Sequence, residues 1–495
     1  MDALLKEEIR RIDSLTCSRI GSYNMMENAG SKMADIIINK YNPKKVLLLL
    51  GRGGNAGDAL VIGRILLNNN INVDAFCVSN IKNPDSLKNL ELFKGNIIAE
   101  IDYDKYDLII DGILGNNQEK KLDLDLIDLI SNVNNSKIKI VSIDMPTGIN
   151  TNNGISLGGF IKSDLTITVE YPKTGLFLND GLDSYNELKI IKIGLDNPTD
   201  IIKISEEADF NSFLEHRNRN SNKGTYGKAT IIAGSIDYSG ASLISYNALN
   251  QFMMGVGYSS LYVPSSLYEI YILRNPEIIV RRLDDNNGYI KYNEDILDEI
   301  IKSSDSISIG MGMGVSADLY KTIGYLLNNY DKKLVIDADG LNTISKYGVD
   351  ILKSHKCEVI ITPHPKEFSR LINKTVEEVL KDSFNLVKKF AIDYNLCVIL
   401  KGASSIISNN GDICISTFGN QSLAKGGSGD ALSGILSGVC ATSKKSIFEI
   451  SKFSCYVLGK SSELAILDER DITLTISKIS SYIPKVIKNL KGEGK

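Results

Sequence analysis

Lys425-Gly426-Gly427-Ser428-Gly429-Asp430-Ala431-Leu432-Ser433-Gly434 is a glycine-rich turn that runs into a helix of small residues. Glycines let backbone N–H groups converge on an anion, and the helix N-terminus adds partial positive charge, so the turn suits a phosphate. Asp430, in the first helical turn, is then placed to take the proton of a hydroxyl attacking a phosphoryl group. The plainer reading is that Asp430 caps its helix and the glycines only permit close packing. The neighbouring turns weigh against it. Leu400-Lys401-Gly402-Ala403-Ser404-Ser405 closes a strand, where α/β sheets place ligand contacts. Asn275-Pro276-Glu277, Gly310-Met311-Gly312-Met313-Gly314, Asp337-Ala338-Asp339 and Thr362-Pro363-His364-Pro365 also fall at strand ends or in connecting loops. No P-loop signature occurs, which excludes a P-loop NTPase.

Working outward, strands are expected at 229–233, 259–263, 306–309, 334–336, 359–361 and 398–400, alternating with helical-period segments. The same alternation fills the first part of the chain, with strands at 46–50, 73–78, 108–110, 138–143 and 165–169. This is the pattern of parallel sheets covered by helices on both faces. A polar, basic stretch over 210–223 reads as a linker, so the chain is expected to hold two α/β domains, 1–212 and 213–495.

The 495 residues carry 56 Lys+Arg against 60 Asp+Glu and are 43% hydrophobic, which excludes disorder as the dominant state. The near-balanced charge disfavours nucleic acid and membrane surfaces as partners. The apolar runs are strand-sized, and the first residues are acidic and amphipathic, unlike a secretory signal, so a cytoplasmic location is expected. The seven cysteines include no close pair and read as buried free thiols. Of three histidines, His216 and His355 read as ordinary surface residues, whereas His364 is fixed between two prolines.

In the first half, Gly51-Arg52-Gly53-Gly54-Asn55-Ala56-Gly57-Asp58 follows a strand and leads into a helix over 59–67. Its glycine spacing is not the dinucleotide fingerprint, and the next strand ends in Ser79-Asn80 without the acidic residue that holds a ribose. Asp111-Gly112-Ile113-Leu114-Gly115 and Asp144-Met145-Pro146-Thr147-Gly148 each put an aspartate directly after a buried strand, on the same sheet edge as Asn55 and Asp58. Such a cluster of carboxylate, amide and hydroxyl oxygens suits an alkali or alkaline-earth cation. The alternative is that the aspartates are helix caps.

These residues carry a family resemblance. Lys223-Gly224-Thr225-Tyr226-Gly227, Ala233-Gly234-Ser235, Asp337-Ala338-Asp339, Thr362-Pro363-His364-Pro365, Lys401-Gly402-Ala403 and the Gly-Gly-Ser-Gly-Asp turn stand in the order found in ADP- or ATP-dependent NAD(P)H-hydrate dehydratases, which are ribokinase-like. The resemblance implies that Lys401, Gly402, Ala403, Ser404, Ser405 and Gly429 contact the adenine nucleotide. It further implies that Val256, Gly312, Gly314, His364 and Asp430 contact the hydrated nicotinamide nucleotide, with Asp430 the catalytic base. Val256 replaces the family's usual Ala, and Lys366 its usual Gly.

Residues from about 8 to 200 resemble the NAD(P)H-hydrate epimerase domain, a Rossmann-like fold, including Ile12-Asp13 and Met26-Glu27-Asn28-Ala29-Gly30. That resemblance implies K⁺ bound by Asn55, Asp111 and Thr147. Substrate contacts would come from Gly54, Asn55, Ala56, Gly57, Asp58, Gly115, Asn116, Asn117, Gln118, Glu119, Lys120, Lys121 and Asp144. Asp144 is the candidate for acid/base transfer, with Lys120 or Lys121 as a helper. Gly54 replaces an Asn, Ala56 and Ala59 replace Gly, and Thr147 replaces Ser but keeps its hydroxyl.

Together the resemblances imply a bifunctional repair enzyme that epimerises the R and S hydrates of NADH and NADPH and dehydrates the S form at the expense of ADP or ATP, with Mg²⁺. A homo-oligomer is expected. The alternative is a ribokinase-like kinase of a small hydroxylated metabolite with a catalytically silent N-terminal domain. A binding protein with a silent N-terminal half is a third reading.

Overall fold

The computed structural model describes residues 1–214, 217–252, 255–273 and 277–490; His216, Asn275 and Pro276, named above, lie outside them. The chain forms two compact units, Met1–Lys203 and Ile204–Lys495. The first therefore ends before the expected boundary at 212. The segment read as a linker begins with two aromatic anchors: Phe210 stacks on Tyr456 with ring centroids 4.6 Å apart, and Phe213 on Phe453 at 3.8 Å. Both phenylalanines are buried in the core of the second unit. Polar neighbours masked them in the sequence.

The first unit opens with α1 (Lys6–Ile20) and α2 (Ser22–Tyr41), then alternates β1 (Lys45–Leu50), α3 (Gly54–Asn68), β2 (Asn72–Cys77), α4 (Pro84–Leu92), β3 (Asn96–Ile98), β4 (Leu108–Gly112), α5 (Leu124–Asn135), β5 (Lys139–Ile143), β6 (Ser163–Val169) and β7 (Tyr185–Ile191). Its seven strands pair in parallel in the order β3-β2-β1-β4-β5-β6-β7. Central strands such as Val46–Leu50 are apolar at every position because helices cover both faces. The connection direction reverses at β1, so the loops after β1 and β4 diverge and leave a crevice at the carboxyl ends of the strands.

In the second unit the principal elements are β8 (Lys228–Ile232), α6 (Ser239–Phe252), β9 (Tyr258–Pro264), β10 (Val280–Leu283), α7 (Glu294–Ser303), β11 (Ser306–Ile309), α8 (Ala317–Asn329), β12 (Lys333–Ile336), α9 (Asp339–Tyr347), β13 (Glu358–Ile361), α10 (Pro365–Leu371), α11 (Ser383–Asp393), β14 (Cys397–Leu400), β15 (Ser405–Asn409), β16 (Asp412–Ser416), α12 (Ser428–Thr442) and α13 (Ile447–Asp468). The sheet order is β16-β15-β14-β13-β12-β11-β8-β9-β10, parallel except for the hairpin that joins β15 to β14 and β16. Its switch point lies at β8 and β11, and Gly310–Gly314 leaves from there.

All seven cysteines are free. Burial raises the Cys357, Cys397, Cys440 and Cys455 thiols to about 12. No helix among the described residues is long and apolar enough to cross a membrane.

Candidate active sites

In the first unit the crevice at the switch point is a cavity of about 470 Å³. Helix α3 starts at Gly54, five residues earlier than expected, so Asn55 and Asp58 lie in its first turns with its unpaired N–H groups. Gly51 is required beneath them, since a Cβ there would sit 1.8 Å from the Ile113 carbonyl oxygen. Asn55 Nδ2 donates to the carbonyls of Ile143 at 2.9 Å and Leu114 at 3.1 Å, which tie it to the ends of β5 and β4. A Cβ on Gly115 would lie 2.7 Å from Asn55 Oδ1.

Asp111 and Asp144 are not helix caps. Asp111, fully buried, accepts from Ser142 Oγ at 2.8 Å, Thr147 N at 2.9 Å and Thr147 Oγ1 at 2.7 Å. Burial pushes its carboxyl above the usual range against those uncharged donors. Asp144 has φ of 67°, a left-handed conformation uncommon outside glycine. Its Oδ1 is ion-paired to the buried Lys173 Nζ and accepts from Thr168 Oγ1 at 3.1 Å.

Lys173 is the residue that sequence reasoning missed. Lys120 and Lys121, proposed as the helper, are exposed and do not line the cavity. The signal was a lysine in the Tyr171-Pro172-Lys173 turn just after a buried strand, the same placement that singled out Lys401. Among the expected loop contacts, Gly115, Asn116 and Asn117 line the cavity and the rest do not. The Gln118 side chain is buried and spent on structure, donating to Pro146 O at 3.1 Å and accepting from Gly148 N at 2.6 Å. Glu119 is ion-paired with Lys6. Ala56 and Gly57 are buried in α3, and Gly57 is pressed against Met26.

Two further carboxylates line the cavity. Burial raises Asp13 to about 6, and it raises Asp58 well above the usual range, with Asp144 and Asp13 adding repulsion.

In the second unit, Asp337 at the end of β12 is fully buried and binds Lys401 Nζ at 2.8 Å and Ser433 Oγ at 2.9 Å. Burial alone would raise it, but Lys401 and these donors hold it below the usual carboxylate range. Between Asp337 and Asp339 stands Ala338 with φ 48° and ψ −116°, a strained conformation for alanine. That kink turns Asp339 toward the glycine loop, where its carboxylate accepts from Gly314 N at 2.9 Å. Gly312 and Gly314 have φ of 62° and 72° and need to be glycine.

Asp430 is the third residue of α12, whose N-cap is Gly427, and it makes no hydrogen bond among the described residues. The capping reading therefore fails. The helix terminus does not keep it a strong acid: burial, then repulsion from Asp337, raises it to about 7. Gly429 fits against Lys401, with a Cβ there only 3.0 Å from Nζ. Lys401, Gly402, Ala403 and Ser404 form the β14–β15 turn, and Ser404 Oγ is buried without a partner.

His364 caps α10 rather than merely standing between prolines. Its Nδ1 accepts from Lys366 N at 3.1 Å and Glu367 N at 3.3 Å, while Glu367 accepts from His364 N at 2.9 Å. Burial and nearby Lys401 lower its pKa, so the ring is neutral with its proton on Nε2. His355 is tied to the carbonyls of Cys357 and Tyr394. The Val256 side chain is in the apolar cluster with Met311, leaving its backbone for any ligand contact.

Carboxylates gathered at the switch points of two parallel sheets, the second set beside a glycine turn that opens a helix, define a two-site α/β enzyme. A family model described as NAD(P)H-hydrate dehydratase matches residues 229–485, and one described as YjeF-related protein N-terminus matches 22–175. The bifunctional NAD(P)H-hydrate repair enzyme Nnr of Dictyoglomus turgidum is 31% identical over 98% of both chains, and that of Thermofilum pendens 27% identical over 98% of this chain and 96% of its own. The ADP/ATP-dependent NAD(P)H-hydrate dehydratase of Bacillus subtilis, co-crystallised with ATP/Mg²⁺, is 26% identical with a TM-score of 0.50, covering 58% of this chain and 99% of that one. The chain belongs to the family of bifunctional NAD(P)H-hydrate repair enzymes.

Proposed function

We propose that the second unit dehydrates the S hydrate of NADH and NADPH with ADP or ATP, and that the first interconverts the R and S hydrates. The observation that carries the first assignment is Asp430: a half-buried carboxylate at a glycine turn, its side chain without a hydrogen-bond partner among the described residues and its pKa raised to about 7. Such a group accepts the proton of the ring hydroxyl as that oxygen attacks the terminal phosphoryl group. Phosphate, a better leaving group than hydroxide, then departs with the C–O electron pair while the adjacent ring carbon loses a proton to solvent, and the ring double bond of the dihydropyridine re-forms.

His364 offers its Nε2 proton to the substrate. Gly312 and Gly314 let the backbone approach it, and the Lys401–Ser405 turn with Gly429 receives the nucleotide. Mg²⁺ bound with the nucleotide would neutralise phosphate charge, which suits a site where Asp337, Asp339, Glu367 and Asp430 outnumber Lys401.

In the first unit, Asn55, Asp111 and Thr147 offer K⁺ hard oxygens. The buried Asp111 carboxylate, surrounded only by uncharged donors, fits a cation. Bound K⁺ would supply positive charge beside the substrate. Gly54, Asn55 and Asp58 at the start of α3, with Gly115, Asn116 and Asn117, border the substrate, and Asp144 transfers the proton. A cytoplasmic, homo-oligomeric enzyme completes this reading.

The test is absorbance in the reduced-nicotinamide band after hydrated NADH is mixed with the protein, Mg²⁺ and ADP or ATP. Recovery of the band with nucleotide consumption supports the reading and names the donor. A stable phosphoester without recovery would replace it with the small-metabolite kinase.

A further inference from the structure

The epimerase cavity contains more acid–base groups than Asp144 alone accounts for. Hydration of a dihydropyridine puts the hydroxyl on the ring carbon bonded to nitrogen, where the nitrogen lone pair supports positive charge. Inversion at that carbon can proceed by breaking its C–O bond and re-forming it on the other face, the route that nitrogen lone pair favours. As the hydroxyl leaves it takes one proton and departs as water, and the lone pair forms C=N⁺. A water then adds to the opposite face, gives up one proton, and the electron pair returns to nitrogen. One water leaves and one enters, one proton is consumed and one released, and nothing is oxidised. The cycle needs an acid and a base in one cavity.

The cavity provides both in different settings. Asp144 enters from the end of β5 with Lys173 and Thr168 on its Oδ1, so a cation and a hydroxyl hold one oxygen and orient the carboxyl group. Asp13 enters from α1 and has no cation in contact among the described residues. One of its oxygens is held by Asn116 Nδ2 at 3.4 Å, which orients it from the Gly115–Asn117 loop. Asp58 also has no cation in contact among the described residues, but it has no such orienting contact either.

Resting on the epimerase reading above, we propose that Asp13 is the general acid that gives its proton to the departing hydroxyl, while Asp144 takes one from the water that adds on the opposite face. Lys173 is a positioning residue that fixes Asp144. Solvent in the open cavity carries the proton from Asp144 back to Asp13. The charged and titratable groups facing Asp13 are Asp144, Lys173, Asp58 and, on its own helix, Cys17. Burial and these neighbours leave Asp13 near 6, so the acid is partly protonated at neutral pH.

The experiment follows R-to-S exchange of hydrated NADH by the full-length chain across pH, separating the epimers by chromatography. In the wild type, exchange should fall as pH rises above about 6, where Asp13 loses its proton. Asp13→Asn should slow turnover by about 100- to 10,000-fold with little change in KM, and its residual rate should lack that alkaline fall. Asp13→Glu should recover part of the rate. Far-UV circular dichroism and thermal unfolding of the same variant chain monitor its folding; if Asp13→Asn fails there, Asp13→Glu decides by its pH profile. Exchange by Asp13→Asn at the wild-type rate, or an alkaline fall unchanged in either variant, would overturn the assignment while leaving the epimerase reading intact. A wild-type chain that does not accelerate exchange would remove both.

Discussion

Asp430 and Ala338 are each held in a state that costs stability. Asp430 keeps its proton to about 7 in the folded state but loses it near 4 when unfolded. The folded state binds more protons in that window, so the wild type loses stability as pH rises through it. Asp430→Asn should therefore be the more stable protein at pH 8, by on the order of 1–3 kcal/mol, with the difference fading toward pH 4. Urea unfolding at both values checks this. The same substitution should cost several orders of magnitude in dehydration while leaving nucleotide binding in place. Wild-type turnover should rise with pH through about 7 as the base ionises. Ala338→Gly relieves a strained φ and should stabilise the chain by about 1 kcal/mol in equilibrium unfolding, once the greater freedom of unfolded glycine is subtracted.

At the scale of elements, the end of β12 and the start of the β14–β15 turn are joined by the buried Asp337–Lys401 pair. Lys401→Met should destabilise by about 3–5 kcal/mol at neutral pH, because it strands a buried carboxylate. The loss should shrink in acid, where Asp337 takes up a proton; thermal melts across pH would show it. These strand ends were legible because apolar runs followed by Gly, Asp or Lys mark the rim of a parallel sheet. Every strand expected from the sequence is present. Of the longer ones missed, β3, β7, β10 and the β15–β16 hairpin lie at or toward sheet edges. At an outer edge solvent on one side breaks the apolar run, as in Tyr185–Ile191, where only Ile191 is buried. Site residues on the rim were legible for the same reason. Lys173 was not, since only the fold brings its turn to Asp144, and Gln118 was misread because its buried hydrogen bonds are long-range.

On the scale of the whole molecule, the two units divide the work of clearing a mixture of epimers. The wild type should convert an R/S mixture of hydrated NADH completely. Asp144→Asn should stop once the S fraction is consumed and continue only at the spontaneous exchange rate, which a plateau in the reduced-nicotinamide band would display. Both activities falling together would contradict the division. The free cysteines have a consequence for the whole chain in its working environment. Reaction with peroxides and electrophiles requires thiolate, and burial suppresses it at Cys357, Cys397, Cys440 and Cys455. These four sulfurs are out of reach of such reagents while the chain is folded and become targets only when it opens, so their labelling would clock unfolding.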